Sequence, residues 1–288
     1  MNSLKSHEIP GRVTIFETTG GLPAIEVETE CSLAEVCLHG AQVTRFRKKG
    51  GEPLLFLSEA SHFESGKAIR GGVPVVFPWF GPRAGQPAHG TARLTRWDLI
   101  ESFVLPDGAV RLTFHFPEPG APDVRFVITV AATLTMELIV TNTLTGNFTF
   151  ENCLHTYFQI GDIRRVEVTG LQGAAYIGCF SPEQTVQTEN AIRFTGETDR
   201  FYQNSTATVE IRDPDLHRTI VVRKSGSLST IVWNPWIETA RVMADLGDDE
   251  YLQMVCVESG NVKQHALTLA PGGRSVLKVE IENIPLGT

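Results

Sequence analysis

The feature that most restricts this chain is a two-residue hydrophobic period that recurs along most of its length. In "VRLTFHF", Val110, Leu112, Phe114 and Phe116 fall on one face and Arg111, Thr113 and His115 on the other. Leu134, Met136, Leu138 and Val140 share a face in "TLTMELIVT", as do Leu277, Val279 and Ile281 in "LKVEIE". Successive side chains of a strand point to opposite sides, so the pattern predicts half-buried antiparallel strands with one wet face. Similar runs cover Arg12–Thr18, Ala24–Val27, Val36–Phe46, Val124–Ala131, Arg164–Val168, Thr206–Ile211 and Arg218–Lys224. Turn signals separate them, among them Gly20-Gly21, Gly50-Gly51, Pro106-Asp107-Gly108, Gly146-Asn147, Asp213-Pro214-Asp215 and Gly272-Gly273. Helical periodicity is confined to a short stretch around Ile237–Leu246. Many short strands with regular turns imply an all-β sandwich rather than a parallel α/β sheet. No linker, repeat or composition break divides the chain, so residues 1–288 are expected to form one domain with its core at about 11–284.

Composition narrows the function classes. The net charge is −8, and the longest basic run, Arg45-Phe46-Arg47-Lys48-Lys49, ends at a Gly-Gly turn. That is no nucleic-acid footprint. The start, "MNSLKSHEIPGR", is polar and lacks an apolar signal core. The weakly charged stretch Phe126–Met136 is far shorter than the ~20 residues a membrane helix needs. The expectation is a cytoplasmic protein with no nucleic-acid or membrane partner, acting as a monomer. The five cysteines, Cys31, Cys37, Cys153, Cys179 and Cys256, include no C-x-x-C pair. A disulfide framework or zinc site is therefore not expected, and each thiol reads as a small buried side chain. The eight histidines are scattered. His7, His62, His115 and His217 read as surface positions. No metal and no cofactor is expected.

Three stretches break the alternation: Lys67–Arg83, Pro87–Arg93 and Val232–Trp236. Their Gly, Pro and Trp content argues for ordered loops packed on the sheets, where a rigid sandwich carries binding groups. The first lacks the spacing of a phosphate loop or dinucleotide fingerprint. Arg70 and Arg93 sit in two of these loops, and each is either an internal ion pair or a clamp on an anionic ligand. Asp199 is either a turn acid paired with Arg200 or a ligand. Glu258 ends the run "YLQMVCVE" before Ser259-Gly260, where its carboxylate meets either a pocket or water. His155 in "LHTYF" is either a core histidine or a general acid.

Taken in order, "GAQVTRF", "IRGGVPVVFPWFG", "HGTAR", "HTYF", "TDRFY", "VWNPW", "LGDDEY" and "VCVESG" resemble the aldose 1-epimerase family, and within it the hexose-6-phosphate mutarotase branch. These strings run from Gly40 to Gly260, most of the chain. The resemblance implies a galactose-mutarotase-like β-supersandwich of antiparallel sheets. It implies His155 as general acid, Glu258 as general base, Asp199 as a ligand of substrate hydroxyls and His89 as a second sugar-binding histidine. Arg70 and Arg93 match the positions that bind the sugar and its phosphate. One departure stands out. The family's usual "HGFAR" reads "HGTAR" here, which puts the packing behind His89 and Arg93 in question at Thr91.

The implied reaction interconverts the α and β anomers of a hexose 6-phosphate, glucose 6-phosphate first. Ring opening needs a proton delivered to the ring oxygen and one removed from the anomeric hydroxyl. An imidazolium and a carboxylate on opposite sides of the ring would do both, each worth about a hundred- to ten-thousand-fold. His155 would then start protonated, its pKa raised by a nearby carboxylate. The net charge opposes a phosphate dianion at long range, but screening over about 8 Å leaves local arginines to decide. Two other readings stay open: an epimerase of unphosphorylated aldoses, and a carbohydrate-binding β-sandwich without catalysis.

Overall fold

A computed structural model describes residues 4–178 and 181–287. Cys179 lies outside the described residues. The structure is a set of antiparallel sheets with little helix, in agreement with the alternation. Residues 13–48 form a four-stranded sheet, and two large sheets of eight and nine strands make up most of the remainder.

In the nine-stranded sheet the pattern maps directly onto burial. Leu134–Thr141 alternates buried and half-buried residues without a break. It pairs with Asp123–Val130 on one side and Arg274–Pro285 on the other. Leu134, Met136, Leu138 and Val140 are all fully buried. They belong to one hydrophobic cluster that extends from Leu4 to Ile281 and takes in residues of both large sheets.

The eight-stranded sheet is built differently. Thr198–Gln203 pairs with Ser229–Asn234, which pairs with Met254–Asn261. That last strand is buried at every residue, because both of its faces are covered. Val255 and Val257 belong to the main cluster. The other face meets a smaller cluster of Val76, Cys153, Ile231 and Val262, with Phe80, Phe201 and Trp233 packed against it.

Five sequence expectations need correction. Arg164–Val168 is not a strand throughout: residues 163–165 are a turn and the strand runs over Glu167–Thr169. Val36–Phe46 is not one strand: Ser32–Cys37 and Gln42–Lys48 form a hairpin, because Gly40 and Ala41 turn the chain at φ of 76° and 46°. The helix runs over Trp236–Val242 and stops short of Leu246. Val232–Asn234 belongs to a strand, not to a loop. Cys31 is exposed rather than buried. Among the described residues, no helix is long and apolar enough to cross a membrane.

Candidate active site

The floor of the site is one face of the eight-stranded sheet, and strand register puts it together. Leu154 pairs with Ser259 and Tyr157 with Cys256. The two residues between continue that register, so His155 lies directly across from Glu258. On the next strands Ile231 pairs with Glu258 and Trp233 with Cys256, while Asp199 pairs with Trp233 and Phe201 with Ile231. Side chains directly opposite in an antiparallel pair share a face. His155, Tyr157, Cys256, Glu258, Ile231, Trp233, Asp199 and Phe201 therefore all point the same way. Glu258 does not end its strand; pairing continues to Asn261, and the carboxylate projects from mid-strand.

Most of these residues line a cavity of about 250 Å³, together with Arg70, Phe80 and His89. His155 Nε2 lies 3.2 Å from Glu258 Oε1. The imidazole stacks on Tyr157 at 4.8 Å between centroids, and His89 lies edge-on to it at 5.6 Å. The Cys153 thiol donates to the other Glu258 oxygen at 3.6 Å. His155 and Glu258 are 8% and 1% exposed. Such burial disfavours charge on either partner.

The electrostatics differ from the sequence expectation for this reason. A carboxylate does sit beside His155, but burial pushes the imidazole well below its ordinary pKa, and His89, Arg93 and Arg70 push it the same way. Burial, with Asp199 adding to it, pushes Glu258 well above the carboxylate range, against the Cys153 hydrogen bond and Arg93. The pair thus favours a neutral arrangement that holds a single proton. Burial lowers His89 to about 3, with Arg93 and Arg70 adding to the shift. Its Nδ1 accepts from the Gly81 N–H at 3.3 Å. Burial raises Asp199 to about 6, opposed by Lys263.

The "HG" dipeptide has a steric cause. His89 itself takes φ of 65° and Gly90 77°. A Cβ on Gly90 would lie 2.0 Å from the Phe77 carbonyl oxygen, so only glycine fits there. Thr91 turns away from the cavity, and its hydroxyl donates to Glu118 at 2.7 Å.

The two arginines have different settings. Arg70 lines the cavity, but its guanidinium is held by Asp245 at 3.0 Å and by the Tyr157 hydroxyl at 2.8 Å. No acid neighbours Arg70 in the sequence; the fold brings one from 175 positions away. Gln42 fixes the loop by donating to the carbonyls of Ile69 and Gly71 on either side of Arg70. Arg93 is half-buried and is not among the lining residues of the cavity. Its Nη2 donates to the Ala88 carbonyl at 2.8 Å, and its buried Nε has no partner among the described residues. Asp199 is not paired with Arg200, which donates to Gln187 and lies over Tyr176.

Of the six candidates, His155, Glu258, His89, Asp199 and Arg70 meet at one cavity, and Arg93 adjoins it. Sequence reading missed Tyr157, Phe201, Trp233, Asp245 and Lys263. Phe201 was within reach, because it lies two residues from Asp199 in a strand. Lys263 was not. Its backbone N–H donates to Glu151, as does that of Phe80, and its ammonium lies 3.4 Å from the Phe201 ring centre.

A larger depression of about 390 Å³ lies against the four-stranded sheet, lined in part by Glu26, Glu35, Arg45, Arg47 and Glu59. Arg45 and Glu35 pair with each other there. Among its lining residues there is no histidine or cysteine, so it offers no counterpart to the His155–Glu258 contact.

Comparison with known proteins gives concordant results. Residues 23–282 match the aldose 1-epimerase family. A "Putative glucose-6-phosphate 1-epimerase" of Cenchrus ciliaris is 34% identical, covering 88% of this chain and 82% of its own length. A protein of the same description from Escherichia coli is 36% identical, covering 78% and 79%. The crystal structure of a "putative mutarotase" from Salmonella typhimurium superimposes with a TM-score of 0.89 at 31% identity, covering 99% of both chains.

Proposed function

The chain belongs to the aldose 1-epimerase family, and from that premise we propose that it interconverts the α and β anomers of hexose 6-phosphates, glucose 6-phosphate first. The observation that carries the proposal is the buried contact between His155 Nε2 and Glu258 Oε1 on the floor of a sugar-sized cavity. The relatives described as glucose-6-phosphate 1-epimerases supply the substrate. We take residues 1–288 as one domain, on the continuous cluster from Leu4 to Ile281.

In this reading His155 delivers a proton to the ring oxygen while Glu258 removes one from the anomeric hydroxyl. The expectation of an acid and a base on opposite sides of the ring gives way to a pair side by side. Both reacting oxygens are bonded to the anomeric carbon, so neighbouring groups suit them. Ring opening breaks the bond from the anomeric carbon to the ring oxygen and leaves an aldehyde. Rotation about one carbon–carbon bond and reversal of both transfers yields the other anomer.

The pair needs only its one shared proton. Burial favours that proton on Glu258, and it must sit on His155 to start the reaction. An incoming phosphate dianion would favour the imidazolium through its own field, so substrate charge helps to arm the acid. Asp199 and His89 hold sugar hydroxyls. Arg93, whose charge has no carboxylate partner among the described residues, attracts the phosphate, with Arg70 beside it.

The Asp245 pair on Arg70 favours a second reading, in which the substrate is an unphosphorylated aldose and Arg70 is structural. Exchange NMR on freshly dissolved α-glucose 6-phosphate, with free glucose and galactose as controls, separates the two. Faster anomerisation of the phosphorylated sugar is expected; a preference for a free sugar selects the second reading.

A further inference from the structure

We propose that His155, Cys256 and Glu258 form a site for a thiophilic divalent cation, Zn²⁺ first, and that its occupation switches off the proton-transfer pair. The inhibitory part rests on the roles given to His155 and Glu258 above; the binding part does not. Among the described residues, these three form the one group of histidine, cysteine and carboxylate donors that converges, with one ligand atom from each lying within 4.8 Å of the others.

Register accounts for the convergence. His155 faces Glu258 across the ladder, and Cys256 is two residues before Glu258 on the same face. A core role accounts for the burial of Cys256. It does not account for a thiol set within ligand distance of both His155 and Glu258. The donor set suits zinc: one sulfur, one imidazole nitrogen and one carboxylate oxygen leave a fourth position open towards the cavity. His155 Nδ1 is buried without a partner among the described residues, so the imidazole can ligate through one nitrogen without giving up a second hydrogen bond. Thiolate and carboxylate together neutralise the dication, which offsets its transfer from water. Magnesium and calcium, which prefer oxygen donors, do not fit a sulfur ligand.

The step balances without a redox partner. Zn²⁺ binds thiolate, carboxylate and neutral imidazole, while two protons leave for solvent: one from the thiol and one from the pair. No proton then remains to deliver to a ring oxygen, so the bound enzyme is inactive. Binding should tighten as pH rises.

The test uses Co²⁺ as a coloured substitute for Zn²⁺, in a background of Cys31→Ser, which removes the exposed thiol among the described residues, and Cys179→Ser. Expected are a sulfur-to-cobalt charge-transfer band, its loss on adding Zn²⁺, and inhibition of anomerisation that a chelator reverses. Cys256→Ser preserves the side-chain volume. With a native circular dichroism spectrum, it should lose the band and need at least about tenfold more Zn²⁺ for half-inhibition. Absence of the band in the background protein, or its survival in Cys256→Ser, overturns the metal site alone. Cation binding that leaves the rate unchanged overturns the switch and, with it, the roles of His155 and Glu258.

Discussion

Leu134–Thr141 and Met254–Asn261 are both eight-residue antiparallel strands. The first buries every second residue and the second buries all of them. The first lies in a sheet with one face on the core, so its alternate side chains meet water and are free to be polar. The second lies between the core and a set of irregular loops, so its polar residues are enclosed. A carboxylate in the first strand, Glu137, is half-buried. The carboxylate in the second, Glu258, has almost no exposure and is pushed towards its neutral form. Enclosure on both faces, rather than residue type, is what sets the two carboxylates apart.

The largest test of that contrast is on the enclosed strand. His155→Ala and Glu258→Gln should each lower the catalysed anomerisation rate by about a hundred- to ten-thousand-fold. Thermal unfolding followed by circular dichroism should show a folded protein in both. Near wild-type turnover in either would break the comparison, because enclosure would then have no chemical consequence. The counterpart on the other strand is Leu138→Ala. It should cost about 2–5 kcal/mol of stability in a denaturant titration and leave kcat and KM unchanged in the folded protein.

Next in size is the arginine pair. A charge-assisted bond to phosphate is worth about 1.5–3 kcal/mol, so Arg93→Ala should lower the ratio of kcat/KM on phosphorylated over free glucose by about ten- to a hundredfold. Arg70→Ala strands Asp245 and the Tyr157 hydroxyl, so it should also reduce the melting temperature. A ratio that fell in neither variant would make both arginines structural.

The smallest effect concerns Asp199, raised by burial to about 6 against the opposing charge of Lys263. As pH falls through that value the carboxylate takes up a proton and loses capacity as a hydroxyl acceptor. KM should therefore rise by up to about tenfold per unit at lower pH. Lys263→Met removes the opposing charge and should move this limb to higher pH. A limb that stayed in place would separate Lys263 from the site.

Several of the motifs prove to be fastenings rather than chemistry. Gln42 in "GAQ" ties the Arg70 loop. Asn234 in "VWNPW" donates to the carbonyls of Tyr251 and Met254. Glu250 in "LGDDEY" accepts from Ser58, Glu59 and Gly247. Such residues hold distant segments in register without themselves lining the cavity.

The sequence by itself determined the sheets, because a two-residue period records which side of a strand faces oil and which faces water. It also marked His155 and Glu258, through short strings around each. It could not reveal that they lie directly across from each other, that Asp245 neutralises Arg70, or that Cys256 and Trp233 share their face. Those relations depend on pairing between segments far apart in the chain, and local patterning carries no record of which strand lies beside which. It left the charge state of the pair open as well. That depends on how completely the surrounding loops exclude water, a property of the assembled fold and of no single residue.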